Sequence, residues 1–364
     1  MKKYLDKIRV KLENVTKSTI GTIKYKKINS EVLIENLVDV YNLNSNKPRI
    51  LYVAMKWDYG DRNRGLSFEE LNFFYSLLFS GYPIIKFNFD RIIQEIGVEK
   101  TQELLFETAF LFSPDIVFHF IFKDEIQPET LQKISKKLNI TTIVWFADDH
   151  WRLNSFSLQK ARYYDWVCTT FDAAVPIYKE NGIKNVILTQ WAANQYIYRY
   201  LKLPYKYDVS FVGQPHGNRR QIVNELRVRG INVATWGYGW ENGRVSVSEM
   251  ILIFNQSKIN LNLSNASKNI NINQIKGRDF EVPSCGGFLL TQHNDKLQDY
   301  FKINEEIVTY YDIDDLVYKI KYYLEHDEER EKIKISGWQR VLRDHTYEKR
   351  FSDILKIIKG NVND

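Results

Sequence analysis

RILYVAM (Arg49–Met55), PIIKFNF (Pro83–Phe89), DIVFHFIF (Asp115–Phe122), TTIVWFA (Thr141–Ala147), WVCTTF (Trp166–Phe171) and NVILTQWA (Asn185–Ala192) are apolar, β-rich runs of strand length. The segments between them are long enough for crossover helices, and repeated strand–helix alternation implies a parallel sheet covered on both faces. A second series follows: YDVSFVG (Tyr207–Gly213), INVATWG (Ile231–Gly237), KINLNLS (Lys258–Ser264), GGFLLTQ (Gly286–Gln292) and EIVTYY (Glu306–Tyr311). Between the series, Pro204 and the polar residues of Tyr200–Tyr207 read as a linker. The expectation is an α/β chain with two Rossmann-like domains facing each other across a cleft, preceded by an N-terminal helical extension. Its parts are a basic extension over 1–47, one α/β domain over 48–203, a second over 204–345, and a terminal helix over 346–364 that packs back on the body. Apolar residues at Phe351, Ile354, Leu355 and Ile358 give that helix one dry face. Ligands belong at the carboxyl ends of parallel strands, hence in the expected cleft.

The 364-residue length suits two domains, and 44% hydrophobic with 26% charged residues excludes disordered and fibrous classes. No run approaches the ~18 apolar residues of a membrane helix, and the chain opens on charges, so a cytoplasmic protein is expected. Cys168 and Cys285 are the only cysteines and read as buried reduced thiols, which excludes a disulfide framework. A net charge of +6 favours anionic partners but falls short of a nucleic-acid-binding face. Lys2, Lys3, Lys7, Arg9, Lys11, Lys17, Lys24, Lys26 and Lys27 read as an appended solvated helix or as an arm making peripheral contact with a membrane surface.

Three stretches carry candidate chemistry. In KGRDFEVPSCGGFLLTQ (Lys276–Gln292), the charges of Lys276, Arg278, Asp279 and Glu281 run into the pair Gly286–Gly287. Glycine there would let backbone approach a ligand; the alternative is a surface helix with a glycine cap. In FVGQPHGNRRQIV (Phe211–Val223), Gly213 ends a strand and Asn218 stands where a helix carrying Arg219 and Arg220 begins. Helix-start amides with a guanidinium make an anion site; otherwise the arginines are merely solvated. In the first half, Asp148 and Asp149 follow TTIVWFA, with Trp151 and Arg152 after them. They read as a general base or acceptor-hydroxyl binder beside a sugar-stacking tryptophan, or as an N-cap pair. The loop YGDRNRGLSFEE (Tyr59–Glu70) places Gly60, Arg62 and Arg64 after the first strand and ends on an S-x-x-E capping box from Ser67 to Glu70. Asp312-x-Asp314 resembles a metal-binding pair, but its place before a helix favours capping, so no metal site is expected. His119 reads as a core histidine.

GRDFEVPSCGGFLLTQHNDKLQDYF (Gly277–Phe301) and the stretch from Glu306 to Arg350, with its YLEHDEER helix and RDHTY close, resemble the C-terminal half of group 1 glycosyltransferases, most closely the CgeB-type branch. YGDRNRGLSFEE, WFADDHWR (Trp145–Arg152) and VILTQWAAN (Val186–Asn194) match its N-terminal half more loosely. The resemblance implies a GT-B fold with an N-terminal acceptor domain and a C-terminal donor domain. It also implies transfer of a sugar from a UDP- or GDP-linked donor, without a separate cofactor or metal, to a hydroxyl of a glycan, lipid-linked or protein acceptor. Glu281 would hold the donor ribose, Arg219 the diphosphate, and Arg278 and Lys276 would approach from the opposite loop. The carboxylate that opens the family's Glu-x7-Glu signature would fall at Asn273, a departure that leaves the stereochemical course open. An epimerase or phosphorylase on the same fold, and a non-catalytic nucleotide- or carbohydrate-binding protein, are the alternatives.

Overall fold

A computed structural model describes residues 30–264 and 273–360, with side chains from Ile34 onward. The basic residues between Lys2 and Lys27 lie outside the described residues. The chain divides into two compact units, Met1–Leu188 and Thr189–Asp364.

In the first unit, β1 (Asp39–Tyr41), β2 (Ile50–Ala54), β3 (Ile84–Asn88), β4 (Ile116–Phe120), β5 (Thr141–Phe146), β6 (Trp166–Thr169) and β7 (Val186–Leu188) form one sheet. Its order is β1-β3-β2-β4-β5-β6-β7, and every pairing is parallel except β1 with β3. All residues of β2, β3 and β4 are buried, the signature of strands covered on both faces. The edge strand β1 and the helix Ser30–Leu37, which buries Ile34 and Leu37, belong to this body. The extension expected over 1–47 is therefore integral to the unit from Ser30 onward, because its apolar residues find a core.

In the second unit, β8 (Tyr207–Val212), β9 (Val233–Trp236), β10 (Ser257–Asn262), β11 (Leu289–Gln292) and β12 (Val308–Tyr310) form an all-parallel sheet, ordered β12-β11-β10-β8-β9. The chain runs outward from β8 to β9, then crosses back to β10. Strand order thus reverses between β8 and β10, the position of the crevice in which such sheets bind ligands. In the first unit the reversal falls between β2 and β4.

The junction expected near residue 204 lies instead at Leu188. Ala193 pairs with Thr346, the Leu201 amide donates to Asn255 Oδ1 at 2.6 Å, and the Tyr205 hydroxyl bonds Glu331. These contacts bind the supposed linker into the second unit. The terminal helix Tyr347–Gly360 buries Tyr347, Phe351, Ile354, Leu355 and Ile358, as its spacing predicts.

The helix Asp327–Asp344 lies so close to the turn before β12 that a Cβ on Gly337 would stand 2.2 Å from the Glu306 carbonyl oxygen. Gly337→Ala should gain alanine's helix propensity yet lose about 1–2 kcal/mol overall, because backbone must move. Denaturant unfolding of the variant measures it.

Candidate donor site at the strand-order reversal of the second unit

Two arginines reach the crevice from opposite loops. Arg219 opens the helix Arg219–Val228 after β8, and its Nη1 donates to the Gln214 carbonyl at 3.0 Å. Arg278 opens the helix Arg278–Ser284 after β10, and its Nε reaches across to the carbonyl of Val212, the last residue of β8, at 3.4 Å. Lys276 and His216 add to the same electropositive region. Burial pulls the Arg219 guanidinium down to about 10, with the like charge of Arg278 adding to the effect and Tyr310 opposing it. His216 is lowered first by burial, then by Arg219 and Lys276. Burial is the larger cause for both groups, and the neighbouring cations add to it, which makes this region a candidate site for an anion.

Beneath them lies a polar layer that the sequence did not disclose. Asp279 is fully buried, accepts from Asn262 Nδ2 and Thr291 Oγ1, both at 2.7 Å, and accepts the Lys276 amide at 2.8 Å. Ser264 and Thr291 complete the layer at 3.2 Å. Burial pushes the Asp279 carboxyl up, against the hydrogen bonds that favour its ionised form. The only hint in the sequence is the polar alternation of KINLNLS at the end of a buried strand.

Several expected roles change. Glu281 is only 1% exposed, and both its oxygens are engaged, one by the Tyr198 hydroxyl at 3.1 Å and the other by Arg278. It anchors Arg278 and is not an open acceptor for a ribose diol. Burial opposes the charge on Arg278, yet the Glu281 carboxylate outweighs it and raises the guanidinium's affinity for its proton. Gly286 and Gly287 serve packing: a Cβ on Gly286 (φ +64°) would stand 2.4 Å from the Tyr200 ring, and one on Gly287 2.8 Å from Asn260 Nδ2. Arg220 is engaged by the loop after β9, donating to the Gly239 carbonyl at 2.6 Å and lying over the Trp240 ring. Gly213 is where the expectation put it; its amide and carbonyl both tie to the β9 side, through the Trp236 carbonyl and the Trp240 indole at 2.8 Å each. Asn218 makes no side-chain cap bond. Asn273, at the position of the missing carboxylate, donates to the His293 carbonyl and fastens its loop to the end of β11.

In the first unit, Asp149 is 2% exposed, and one of its oxygens accepts from Thr169 Oγ1 at 2.6 Å and from the Tyr178 hydroxyl at 3.0 Å. Through this oxygen it ties β5 to β6 and to the helix Ala174–Glu180. Asp148 stays half-buried at the end of β5 without a side-chain cap bond, beside Trp151, which is 41% exposed. Arg64 is spent on Asp58 at 3.0 Å, whereas Arg62 is exposed over the Trp57 ring in the loop that carries Gly60. Only half the capping box forms. Ser67 Oγ accepts the Glu70 amide at 3.0 Å, while the Glu70 carboxylate turns to the buried Lys86. His119 is a core residue bonded to the Tyr164 hydroxyl at 2.5 Å, and both cysteines are buried thiols. Asp312 caps the helix Ile313–Glu325 by accepting the Asp315 amide at 2.9 Å, and Asp314 pairs with Arg229. Among the described residues no group of three or more His, Cys, Asp or Glu side chains gathers into a metal cluster, and no helix is long and apolar enough to cross a membrane.

Residues 219–356 match the family described as glycosyl transferase-like, a segment that begins at Arg219 and contains Arg278, Glu281 and Tyr310. The spore protein CgeB of Bacillus subtilis (strain 168) is 22% identical over 263 residues, covering 65% of this chain and 80% of that protein. Two solved structures share the fold. Anabaena Alr3699/HepE in complex with UDP-glucose has a TM-score of 0.56 at 10% identity, over 86% of this chain and all of that one. A glycosyltransferase from Rickettsia africae ESF-5 has a TM-score of 0.59 at 12% identity, over 88% of this chain and all of that one. With its two α/β units, the chain shares the fold of these GT-B structures, and the segment that carries the electropositive crevice is similar to the glycosyl transferase-like family and to CgeB.

Proposed function

We propose that the second unit holds the diphosphate of a nucleotide sugar between Arg219 and Arg278, and that the enzyme transfers the sugar to a hydroxyl of a glycan, lipid-linked or protein acceptor. The observation that carries this reading is the convergence of two guanidiniums, from the two loops that flank the strand-order reversal, on one region to which Lys276 and His216 also belong. A UDP-linked donor is supported by the Anabaena protein of like fold, whose structure holds UDP-glucose. As the bond from the anomeric carbon to the diphosphate oxygen breaks, negative charge grows on the leaving group. Fixed cations stabilise it without reorganising. The arginines supply that charge without a metal ion. Glu281 sets the position of Arg278 rather than touching donor. Asp148 takes the proton of the incoming hydroxyl, with Trp151 as a face on which an acceptor sugar stacks. Both belong to the first unit.

Melting the protein with UDP, GDP, ADP and inorganic phosphate tests the donor site and its base together. UDP at 100 times its Kd should stabilise by about 2.7 kcal/mol and raise Tm by a few degrees. No rise with any nucleoside diphosphate would remove the donor site from this unit.

A further inference from the structure

Buried polar atoms in native proteins almost always have partners, and one that lacks them asks for an explanation. Four such atoms stand on the carboxyl-end loops and strand ends of the second sheet: Asn218 Oδ1, Arg219 Nε, Gln292 Oε1 and the Tyr310 hydroxyl. Tyr310 is the extreme case. It closes β12, is 3% exposed, and packs its ring into the hydrophobic core of the unit, yet its hydroxyl has no hydrogen-bond partner among the described residues. It sits within electrostatic reach of Arg219, at the start of the helix after β8, and of Asp279, which is bonded to the ends of β10 and β11 through Asn262 and Thr291. The oxygens of Asp279 are already taken by Asn262, Thr291 and the Lys276 amide. A phenylalanine would fill the same core without leaving a donor unpaired, so the hydroxyl is costly in the free protein.

We propose that the Tyr310 hydroxyl is a further donor-binding group, giving its hydrogen bond to a phosphate oxygen of the nucleotide held by Arg219. The inference rests on the donor reading above and adds a neutral hydrogen-bond donor to a site otherwise built of cations. Arg219 Nε and the Tyr310 hydroxyl are both donors awaiting an acceptor. A phosphate offers several acceptor oxygens and answers both at once. Asn218 and Gln292, whose side-chain oxygens are likewise unpartnered, lie on the flanks of the same sheet end.

The test is Tyr310→Phe in the full chain, read by the Tm of the free protein and by UDP titration calorimetry. The expected pattern has opposite signs: Tm unchanged or higher without nucleotide, and UDP binding weakened about tenfold. A structural hydroxyl would lower the Tm of the free protein, and that result overturns the inference. Unchanged UDP affinity, with wild type binding normally, overturns it too while leaving the donor site standing. Failure of wild type itself to bind any nucleoside diphosphate would instead remove the donor reading, and this inference with it.

Discussion

Arg278→Ala should be the most damaging single substitution in the second unit, costing about 3–5 kcal/mol of stability and weakening UDP binding about 10–100-fold. The two losses have different origins. Glu281 is only 1% exposed, and Arg278 is its sole ion-pair partner among the described residues. Truncating Arg278 leaves a carboxylate in the interior with only the Tyr198 hydroxyl to satisfy it. An uncompensated buried charge is much more costly than the pair itself is stabilising. The double variant Arg278→Met with Glu281→Gln removes that charge and keeps the volume, so it should recover most of the stability. It should not recover UDP binding, because the guanidinium that reaches the end of β8 is still absent. Urea unfolding and UDP titration of wild type, single and double variants separate the effects. Wild-type stability in Arg278→Ala would show that the ion pair does not govern the fold here, and wild-type UDP affinity in the double variant would show that Arg278 is not a donor ligand.

The strands were legible because burial on both faces writes itself as uninterrupted apolar sequence. PIIKFNF and DIVFHFIF tolerate Lys86 and His119 only because each polar group finds its partner inside, Glu70 for the one and Tyr164 for the other. The two-unit α/β architecture follows from strand spacing, and a family resemblance points to the chain segments of the candidate donor site. What each side chain does there did not follow, since it depends on partners far along the chain. Glu281 is read differently once Tyr198 lies against it, 83 positions away. The Gly286–Gly287 pair is explained by the Tyr200 ring and Asn260, and the capping box is half undone by Lys86, 16 positions beyond Glu70. The unit boundary was misplaced for the same reason. Pro204 marks a turn in any sequence window, but hydrogen bonds to Asn255 and Glu331 decide to which body the turn belongs. Tyr310 shows the limit most plainly: an apolar run ending in two tyrosines gives no sign that one hydroxyl will be buried without a partner.

His345→Gln should flatten the acid sensitivity of the second unit. His345 is 5% exposed, ringed by Phe280, Tyr300 and Phe301, and held at one nitrogen by the Tyr300 carbonyl at 2.6 Å and at the other by Arg350 at 3.1 Å. That geometry suits the neutral imidazole, which donates to the carbonyl and accepts from the guanidinium. Burial and the charge of Arg350 bring its pKa down from 6.5 to about 4, with Arg340 adding to the depression and Asp344 opposing it. The sign follows by linkage. Between pH 6.5 and pH 4 the unfolded chain binds a proton here that the native state does not, so stability rises with pH across this window and is lost as pH falls through it. The contribution amounts to about 2 kcal/mol between pH 7 and pH 5. Asp279 works the other way, since burial raises its carboxyl and acid favours its native state, so the net slope of wild type alone would not isolate the histidine. The difference between wild type and His345→Gln does, because Asp279 is common to both. Glutamine reproduces one donor and one acceptor without titrating, and the wild type should therefore lose about 2 kcal/mol more than the variant between pH 7 and pH 5 in matched urea unfolding series. Parallel curves would mean that His345 is protonated in the native state near neutral pH. The ring of aromatics and the bond from Arg350 would then have to rearrange, because an imidazolium has no lone pair left to accept it.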